Sequence, residues 1–376
     1  MAELKYEQIK EYLKAEALKP EAISSMPSVR TLMRRFNVAM ATVNQALVEL
    51  EHEKVIVRRQ GRGIVAARGG GCLEQLPEEK EKPQILLVSP DYPAETIWRL
   101  TYMTEQYAVQ KGFGVLQSRI CEGACYAAFC DLARRTRNCA ALLIISPAER
   151  FSFETLETFG RLKLPVVLIN HLFLYDELPD NVYCMLHDPA VAGERMATCL
   201  LERGHTEIGY VRNEPQSDYD LQKQNAFVRT LKKAGVSMSS RIFSETIRCW
   251  ENSLEAAWRI VGRNLERIRE SGITALGFSS SPGAFAAIQV LRNAGFEVPG
   301  DISVIGEGDS MWFAYGSPAL TVLSPDYSEL CRRAVEIAAG QFRKERFFSC
   351  SQKLIERDSI SIINHKSEKG DGMINS

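Results

Sequence analysis

Residues 26–65 are MPSVRTLMRRFNVAMATVNQALVELEHEKVIVRRQGRGIV, and their pattern predicts the fold of the N-terminal part of the chain. Ser28 follows a proline and can cap a first helical turn, so a short helix is expected over residues 29–36. After a turn, apolar residues recur at helical spacing along AMATVNQALVELEHE, which predicts a second helix. Two β-rich runs then flank residues 60–63, whose glycines suit a tight hairpin tip. Two short helices and a basic hairpin are typical of a winged helix-turn-helix.

The second helix of this pair has two faces with different chemistry. Its apolar positions fall at i, i+3, i+4 and i+7 and should pack inward: Val43, Ala46, Leu47 and Leu50. Thr42, Asn44 and Gln45 lie on the other face near the helix N-terminus, where a recognition helix contacts base edges in the major groove. Asn and Gln can each bond adenine in a bidentate way, and Thr can contact a phosphate or a thymine methyl. The alternative is an ordinary solvated helix face.

Positive charge favours the DNA-binding interpretation. Arg58, Arg59 and Arg62 are concentrated at the predicted hairpin. An ordinary hairpin needs no such concentration, whereas a wing pressed against a phosphate backbone or minor groove does. Residues 1–68 contain 12 Lys and Arg against 8 Asp and Glu, while the remainder of the chain is net acidic. Phosphate contacts require a basic face of this kind.

Residues 5–67 closely resemble the winged-helix domain of GntR-type bacterial regulators. The resemblance rests on PSVRTLMRRFNVAMATVNQALVELE followed by VIVRRQGRG. It implies that Arg30 contacts DNA and that Gln60, Gly61 and Arg62 are contacts at the wing tip.

The recognition helix departs from the pattern of that family. GntR-type regulators usually carry Arg in the first turn of this helix and a second Arg four residues later, where this chain has Met40 and Asn44. The operator should therefore differ from those of the family and be recognised more through Asn44, Gln45 and the wing.

The sequence changes character after residue 68. Residues 69–83, GGGCLEQLPEEKEKP, combine a glycine triplet, a charged run and two prolines, which predicts a flexible tether rather than a surface loop within one domain. The predicted organisation is a DNA-binding domain at 1–68, a linker at 69–83, a second domain at 84–366 and a C-terminal tail at 367–376.

The second domain alternates apolar strand-like runs with helix-like segments. The runs are ILLVS (85–89), ALLIIS (141–146), VVLIN (166–170), IGYVR (208–212), ALGFSS (275–280) and ISVIG (302–306). This alternation predicts an α/β domain whose parallel sheets are covered by helices on both faces. Ligands of such folds bind at the carboxyl ends of the strands.

The same region resembles the periplasmic-binding-protein-like core of LacI/GalR-type regulators. LPVVLIN, HDPAVAGERMATCLLERGHTEIGYV, AFVRTLKKAGV, LRNAGFEVPGDISVIGEGDS and SPALTVLSP carry the resemblance. It implies two similar lobes joined by three crossings, near Leu186, at 317–323 and at 347–351, with an effector cleft between the lobes. It also implies a homodimer on a pseudo-palindromic DNA operator.

The cleft residues implied by this resemblance depart from those of sugar-binding members. The family's Asp, its Arg, its Asn-Asp pair and the first Asp of its GFDD motif correspond to Asn170, Lys223, Ser280-Ser281 and Gly308. Asp309, which follows Gly308, is also expected to contact the effector. Arg and Asp make bidentate contacts to vicinal hydroxyls that Lys and Ser cannot reproduce. The expected effector is therefore a sugar or another small ring, held by softer polar contacts.

Aromatic side chains are also predicted in the cleft. Trp250 lies where the family places a ring against the ligand, and Tyr92 or Trp98 is expected on the opposite lobe. The alternative is that Trp250 and Trp98 belong to the core.

Membrane, disulfide and metal-binding classes are not favoured. The longest apolar run, 140–145, is far shorter than a membrane span, and the chain opens without an apolar signal core, so a cytoplasmic protein is expected. The ten cysteines contain no CxxC pair, which favours buried free thiols over a disulfide framework or a metal site. No metal and no cofactor is expected.

Catalysis is not favoured either. The sequence contains no GxSxG elbow, no GxxxxGK loop and no helical His pair at metal spacing. His187-Asp188 and Gly204-His205 are the best acid/base candidates, but a helix cap and a helix stop explain them better.

Together these patterns predict a sequence-specific DNA-binding transcription regulator, expected to be a repressor controlled by a small-molecule effector. The alternatives are a solute-binding receptor of the transport type and an enzyme acting on the cleft ligand. The receptor predicts a signal peptide and no basic N-terminal domain, and the sequence contradicts both.

Overall fold

The structure is a computed structural model with two compact units, Met1–Glu79 and Lys80–Ser376. It describes residues 5–17, 26–53, 55–59, 63–66, 82–238, 241–341 and 345–363. The predicted tail and all but the last two residues of the predicted linker lie outside these ranges. Within the ranges, no helix has the length and apolar character needed to span a membrane.

The described part of the N-terminal unit consists of three helices and a hairpin. The elements are α1 (Lys5–Ala17), α2 (Val29–Phe36), α3 (Met40–His52), β1 (Ile56–Arg59) and β2 (Gly63–Ala66). The hydroxyl of Ser28 accepts a hydrogen bond from the amide of Thr31 at 3.3 Å, and Asn37 ends α2 in the left-handed conformation. β1 and β2 pair antiparallel, with Arg59 opposite Gly63. Both predicted helices and the predicted hairpin are confirmed.

The helices of this unit pack around one apolar core. The predicted inward face of α3 is fully buried: Val43, Ala46, Leu47 and Leu50. Ile9 and Leu13 from α1 pack in the same core as Leu32 from α2. Ile56 and Ile64 extend the core to the hairpin. Burial of these side chains is the main favourable contribution that holds α1, α2, α3 and the hairpin together.

The described part of the C-terminal unit is an α/β domain. Its elements are β3 (Gln84–Pro90), α4 (Glu95–Gln110), β4 (Gly114–Ile120), α5 (Tyr126–Arg135), β5 (Cys139–Ile145), α6 (Phe153–Gly160), β6 (Val166–Ile169), β7 (Val182–His187), α7 (Pro189–Leu201), β8 (Ile208–Arg212), α8 (Asp218–Lys233), β9 (Ile242–Ser244), α9 (Ser253–Arg263), α10 (Leu265–Glu270), β10 (Ala275–Phe278), α11 (Ser281–Asn293), β11 (Ser303–Glu307), α12 (Met311–Ala314), β12 (Thr321–Pro325), α13 (Tyr327–Ala338), β13 (Phe347–Cys350) and β14 (Gln352–Ile355). Each of the six predicted strand runs coincides with a strand.

Two six-stranded sheets divide this domain into two lobes. The sheet of lobe 1 has the order β13-β7-β6-β5-β3-β4, and that of lobe 2 has the order β14-β12-β11-β10-β8-β9. All pairs in lobe 1 are parallel, and in lobe 2 only β12 and β14 pair antiparallel among the described strands. The sequence predicted parallel sheets, so the antiparallel pair is a difference from that prediction. A parallel neighbour needs a long crossover connection, whereas β14 follows β13 directly, with no helix between them.

Helices cover both faces of each sheet, as predicted. In lobe 1, α4 and α13 pack on one face and α5 and α6 on the other. In lobe 2, α9 and α11 cover one face and α7 and α8 the other. The β3 strand is apolar along its length because both of its faces are buried. Ile85 and Leu87 pack in one core, and Leu86 and Val88 pack in the core on the opposite face of the sheet.

The chain passes between the lobes three times in its described part. The first crossing follows His187 at the end of β7, and the third lies at Ser351 between β13 and β14, as predicted. The predicted second crossing at 317–323 is wrong. Residues Thr321–Pro325 form β12 inside the sheet of lobe 2, and the chain crosses just before Tyr327, where α13 packs on lobe 1. The apolar segment is a buried strand that pairs with two neighbours, so it cannot serve as a hinge.

Nine cysteines lie in the described ranges, and all are free. Five are buried, as predicted: Cys130, Cys184, Cys199, Cys331 and Cys350. Burial raises the pKa of each of these thiols, which makes them poor nucleophiles. Cys121, Cys125 and Cys249 are exposed, contrary to prediction, because they precede helices in loops that face solvent.

His171, just after β6, is a buried histidine without charge at neutral pH. It is 1% exposed and stacks on Phe151, with ring centroids 5.0 Å apart. Burial lowers the pKa of His171 from 6.5 to about 3, and the positive charge of Arg150 acts in the same direction. Because the folded pKa lies below the unfolded one, the unfolded chain binds the proton first as the pH falls below 6.5. The stability associated with neutral His171 is therefore lost on acidification, by about 2 kcal/mol at about pH 5.

We expect His171→Phe to reduce the acid sensitivity of the C-terminal domain. The phenyl ring keeps the stacking but cannot be protonated, so Tm should fall less between about pH 7 and about pH 5 than in the unchanged chain. Thermal unfolding at both pH values measures the effect. His52→Gln, at an exposed position on α3, is the control and should leave the acid sensitivity as it is. Equal acid sensitivity of His171→Phe and the unchanged chain would contradict the assignment.

Candidate functional site

A cavity of about 370 Å³ lies between the two lobes. Tyr92 and Asn170 reach it from loops after β3 and β6 of lobe 1. Glu214, Ser280 and Asp309 reach it from loops after β8, β10 and β11 of lobe 2. The cavity therefore lies at the carboxyl ends of the parallel strands, where folds of this kind bind small ligands.

Aromatic rings form part of the cavity wall. Those that line it are Tyr92, Tyr219, Phe285, Trp312, Phe313 and Tyr327. Such rings provide apolar contact area for a ring-shaped ligand, and their faces also attract cations.

A buried network of charged and polar groups forms another part of the wall. Glu307 accepts hydrogen bonds from Nζ of Lys223 at 2.6 Å and from the hydroxyl of Tyr219 at 2.5 Å. Nε2 of His187, from lobe 1, lies 3.1 Å from the same carboxylate. Lys223 also donates to the carbonyl of Ser279 at 2.6 Å. Protein acceptors therefore already hold the ammonium group of Lys223.

Lys223 and Glu307 form a buried ion pair. Their side chains are 3% and 6% exposed. Burial would raise the pKa of Glu307, but the charge of Lys223 and the hydrogen bonds from His187 and Lys223 outweigh it and lower the pKa to about 2. Burial would lower the pKa of Lys223, but the attraction of Glu307 outweighs it and raises the pKa. Each partner thus keeps the other charged.

Asp220 and Glu214 are buried cavity carboxyl groups that lack a short ion pair among the described residues; Glu214 bonds the hydroxyls of Ser280 and Ser253. Asp220 is 2% exposed, and neither of its carboxylate oxygens has a hydrogen-bond partner within the described ranges. Nζ of Lys223 lies 3.7 Å from Oδ1 of Asp220, farther than from Glu307. Burial raises the pKa of Asp220, and the charge of Lys223 and the nearby hydroxyl of Ser279, which lies outside good hydrogen-bond geometry, offset this only in part. Burial also raises the pKa of Glu214, and the negative charge of Asp220 adds to that shift.

Direct contacts join the two lobes around the cavity. Arg99 of lobe 1 donates a hydrogen bond to the carbonyl of Asp309 at 2.8 Å. Trp250, from the loop before α9 of lobe 2, meets Tyr92 of lobe 1 edge to face with ring centroids 5.7 Å apart. The indole of Trp250 also donates to Glu149 of lobe 1 at 3.4 Å. The structure therefore has the lobes closed over the cavity.

The N-terminal unit presents a second candidate surface, on α2 and α3. Arg30 and Gln45 are exposed, and Thr42 and Asn44 are partly exposed. Met40, which stands where GntR-type proteins usually have Arg, is 55% exposed. The polar groups predicted to contact bases are thus accessible on one side of α3.

Arg58 has a different environment from the one predicted for a DNA contact. Its guanidinium donates to Oε2 of Glu51 from Nε at 2.9 Å and from Nη2 at 2.6 Å. This charged pair attaches β1 to α3 and already compensates much of the positive charge of Arg58. The side chain of Arg59 and the predicted wing-tip contacts at residues 60–62 lie outside the described residues.

Family models match both units. Residues 5–65 match the model for bacterial regulatory proteins of the gntR family, and residues 197–360 match the model for a periplasmic binding protein-like domain. The N-terminal unit is therefore similar to the helix-turn-helix domain of gntR-family regulatory proteins. The second domain of the chain has the periplasmic-binding-protein-like fold.

Curated relatives of the chain include transcription regulators of Bacillus and Geobacillus. The HTH-type transcriptional regulator GanR of Bacillus subtilis is 25% identical over 175 residues, which cover 45% of this chain and 51% of GanR. The arabinose metabolism transcriptional repressor of Geobacillus stearothermophilus is 23% identical over 376 residues, which cover 97% of this chain and 98% of the relative. The match to GanR thus spans about half of that protein, whereas the match to the arabinose repressor is nearly complete.

Solved structures show the same fold as the C-terminal domain of this chain. A LacI-type transcription regulator from Bifidobacterium animalis superposes with a TM-score of 0.62 at 17% identity, covering 74% of this chain and 99% of that chain. The lac repressor dimer bound to operator and the anti-inducer ONPF gives a TM-score of 0.61 at 17% identity, covering 75% and 96%. The two-lobed architecture predicted from the sequence is confirmed.

Five of the eight predicted effector residues line the cavity. They are Tyr92, Asn170, Lys223, Ser280 and Asp309. Asn170 adopts a left-handed backbone with φ of 57°, and its buried Oδ1 has no hydrogen-bond partner among the described residues. The carboxylate of Asp309 instead accepts a hydrogen bond from Arg357 at 2.8 Å.

The other three predicted residues do not line the cavity. Trp98 is 61% exposed and stacks on Tyr102 along the outer side of α4, because helical geometry turns it away from the cavity. Trp250 packs partly against the core of lobe 1 and contacts Tyr92, so the core alternative describes it better. Ser281 is fully buried in the first turn of α11, against Gly306.

Four important cavity residues were not predicted: Glu214, Asp220, Glu307 and His187. Glu307 offered a signal, because it is a charged residue at the Phe position of the family's GFDD motif and ends an apolar run. The cap interpretation of His187-Asp188 is confirmed for Asp188, which accepts hydrogen bonds from the amides at the start of α7. His187 itself faces Glu307 across the lobes. Glu214 and Asp220 carried no such signal, since they are separated from the other cavity residues in sequence.

Proposed function

We propose that this regulator is a cytoplasmic repressor whose affinity for DNA is controlled by a small molecule bound between its lobes. The observation that carries the proposal is the presence, on one chain, of an exposed recognition helix and a closed cavity at the strand ends of a two-lobed domain. The nearly full-length similarity to an arabinose metabolism transcriptional repressor supports repression as the sign of control. Because the relatives are transcription regulators, binding rather than catalysis is the proposed role of the cavity.

The closed arrangement of the lobes supports effector control. Arg99–Asp309 and Trp250–Tyr92 join the lobes at the cavity. Arg150 of lobe 1 also pairs with a lobe 2 residue, Asp218. An effector that contacts both lobes favours the closed state over an open one. A preference of ~1.4 to 2.8 kcal/mol between states changes DNA affinity by ~10- to 100-fold.

The regulator is further proposed to act as a homodimer on a pseudo-palindromic operator. The lac repressor, whose fold matches the C-terminal domain, is a dimer in its structure with operator. Two-fold symmetry in the protein would place two recognition helices on two operator half-sites. The predicted linker at 69–83 would connect each DNA-binding domain at 1–68 to its effector domain at 84–366.

Selection of operators from a random DNA library tests the proposed function. The full chain should enrich a two-fold symmetric sequence and should bind it with an affinity that falls steeply as salt rises. Failure to enrich any sequence, or an affinity that does not change between low and moderate salt, would contradict the proposal.

Arg30→Ala should weaken binding to the selected operator about tenfold. Arg30 is exposed in the first turn of α2, so its removal should delete a phosphate contact without unfolding the domain. The slope of log affinity against log salt should also fall in magnitude by about 1 for each protomer. Titration of labelled operator at several salt concentrations measures both quantities.

Arg161→Ala provides the matched control for the loss of one positive charge. Arg161 follows α6 in the C-terminal domain, and its side chain is 70% exposed. This variant should bind the operator with unchanged affinity and unchanged salt slope. Equal behaviour of the Arg30 and Arg161 variants would contradict the role proposed for Arg30.

A further inference from the structure

The charges around the cavity restrict the chemistry of the effector, an inference that rests on the proposed function of the cavity. Six lining residues carry carboxyl groups: Glu95, Glu214, Asp220, Glu251, Glu307 and Asp309. The basic residues that line it in the described structure are Lys223 and His187. The cavity wall is therefore strongly acidic, although the chain as a whole is nearly neutral.

Three of the six carboxyl groups form short ion pairs with cationic side chains. A fourth, Glu95, bonds the hydroxyl of Ser310 and is also stabilised by the charge of Arg99. Lys223 binds Glu307 at 2.6 Å, as described above. Arg357 binds Asp309 at 2.8 Å. Arg259 binds Glu251 at 2.7 Å. Because these three cationic side chains are already paired with carboxylates, they are not available to a ligand. A phosphate or carboxylate group on a ligand would therefore be repelled by the acidic wall.

Asp220 and Glu214 have no such short ion pair among the described residues. The nearest cation to Asp220 is Lys223 at 3.7 Å, and Glu214 bonds neutral groups, the hydroxyls of Ser253 and Ser280. Asp220 is almost completely buried, and both of its carboxylate oxygens lack hydrogen-bond donors within the described part of the chain. Buried acceptors of this kind normally have partners in folded proteins. An ionised carboxylate only accepts hydrogen bonds, so a ligand group that pairs with ionised Asp220 must be a donor.

Aromatic faces lie beside these acids. Tyr92, on the opposite lobe, has a pKa raised to about 12. Burial of the hydroxyl is the larger cause, and the negative charge of nearby Glu214 is the second. The ring of Tyr219 already has one ammonium near it, because Nζ of Lys223 lies 4.9 Å from the ring centroid. Carboxylates combined with tyrosine rings are a recurrent environment for organic cations.

We propose that the effector of this regulator is a small ring compound with a protonated amine, which binds between Asp220 and Glu214 beside the ring of Tyr92. An ammonium group supplies hydrogen-bond donors to both carboxylates and compensates their negative charge. A neutral sugar supplies donors but no charge, and a phosphorylated or carboxylated compound adds like charge. An amino sugar and an aromatic amine both meet these requirements.

Matched pairs of probes test the charge requirement on the full chain. The amines are D-glucosamine, D-galactosamine and tyramine, and their neutral counterparts are N-acetyl-D-glucosamine, D-galactose and tyrosol. D-glucose 6-phosphate serves as the anionic probe. Thermal shift followed by calorimetric titration measures each dissociation constant. At least one amine should bind about tenfold or more tightly than its neutral counterpart.

Two outcomes of this panel would overturn the proposal. One is that no amine binds with a dissociation constant below about 1 mM. The other is that a neutral or phosphorylated probe binds as tightly as the best amine. Either result means that the acidic wall does not select a cation.

Substitution of the two acids tests the site itself. Asp220→Asn and Glu214→Gln preserve size and remove the charge, so each should reduce the preference for the amine about tenfold. Glu255→Gln, at an exposed position on α9, is the matched control and should leave the preference unchanged. Amine binding that survives both cavity substitutions would overturn the assignment.

Operator binding by the chain without effector separates this inference from the proposed function. Operator binding without amine preference contradicts the inference alone. Amine preference without operator binding contradicts the proposed repressor and leaves the charge selectivity of the cavity in place.

Discussion

Glu307→Leu should destabilise the C-terminal domain by about 3–5 kcal/mol. The substitution leaves Lys223, whose side chain is 3% exposed, without the carboxylate that binds its Nζ at 2.6 Å. His187 and Tyr219 lose the same acceptor. An uncompensated buried charge is among the most costly defects in a protein interior, and the loss is a large part of a typical stability of about 5–15 kcal/mol. Thermal and urea unfolding of the full chain should both show it.

The double variant Glu307→Leu with Lys223→Met is the matched control. It removes both charges and fills much of the same volume with apolar atoms, and such replacements of buried ion pairs are often nearly neutral. We expect it to recover most of the stability lost in the single variant. A single variant as stable as the unchanged chain, or a double variant as unstable as the single one, would contradict the importance of this pair.

The position of the Glu307 network connects stability with ligand recognition. Glu307 ends β11 and Lys223 lies on α8, both in lobe 2, whereas His187 ends β7 in lobe 1. The Nε2 contact of His187 therefore joins the two lobes at the first crossing. A ligand in the adjoining cavity must fit beside this network, so the network contributes both to the shape of the site and to the contact between the lobes.

Local sequence signals were sufficient for much of the fold. The serine cap predicted the start of α2, because Ser28 satisfies an amide of the first turn without help from the rest of the protein. Apolar runs located six strands of the C-terminal domain for a similar reason, since each is buried on both faces. The antiparallel entry of β14 depends on pairing with β12, which is distant in sequence and leaves no local pattern.

The cavity was less predictable than the fold. Asn170 and Asp309 were located through family positions, and both line the cavity. Trp98 was predicted in the cavity but lies on the outer side of α4, where it stacks on Tyr102. The sequence places Trp98 in the helix after β3 but does not show which face of that helix is turned towards the cavity. Asp220 and Glu214 lie six residues apart in sequence, but their shared environment is produced by the loop after β8 and the first turn of α8. Side-chain chemistry of this kind is fixed by tertiary structure.

A substitution in the core of the N-terminal unit should abolish DNA binding and leave ligand binding intact. Leu47→Ala should destabilise this unit by about 2–5 kcal/mol, since Leu47 is fully buried on α3 and its removal leaves a cavity in the core. A unit of fewer than about 80 residues has little stability in reserve. Operator binding should therefore be lost near physiological temperature. The unfolding transition of the C-terminal domain should stay in place, because that domain is a separate compact unit with its own cores.

Val48→Ala tests whether burial causes the effect. Val48 is the next residue on α3 and is 54% exposed, so the loss of its methyl groups should change the stability of the unit by no more than about 0.5 kcal/mol. Calorimetry of the full chain should show a lowered first transition for Leu47→Ala and an almost unchanged one for Val48→Ala. If Leu47→Ala instead shifts both transitions together, the two units unfold as one. The DNA-binding domain would then depend on the effector domain for its stability, and an effector could control operator binding through that stability without moving one domain against the other.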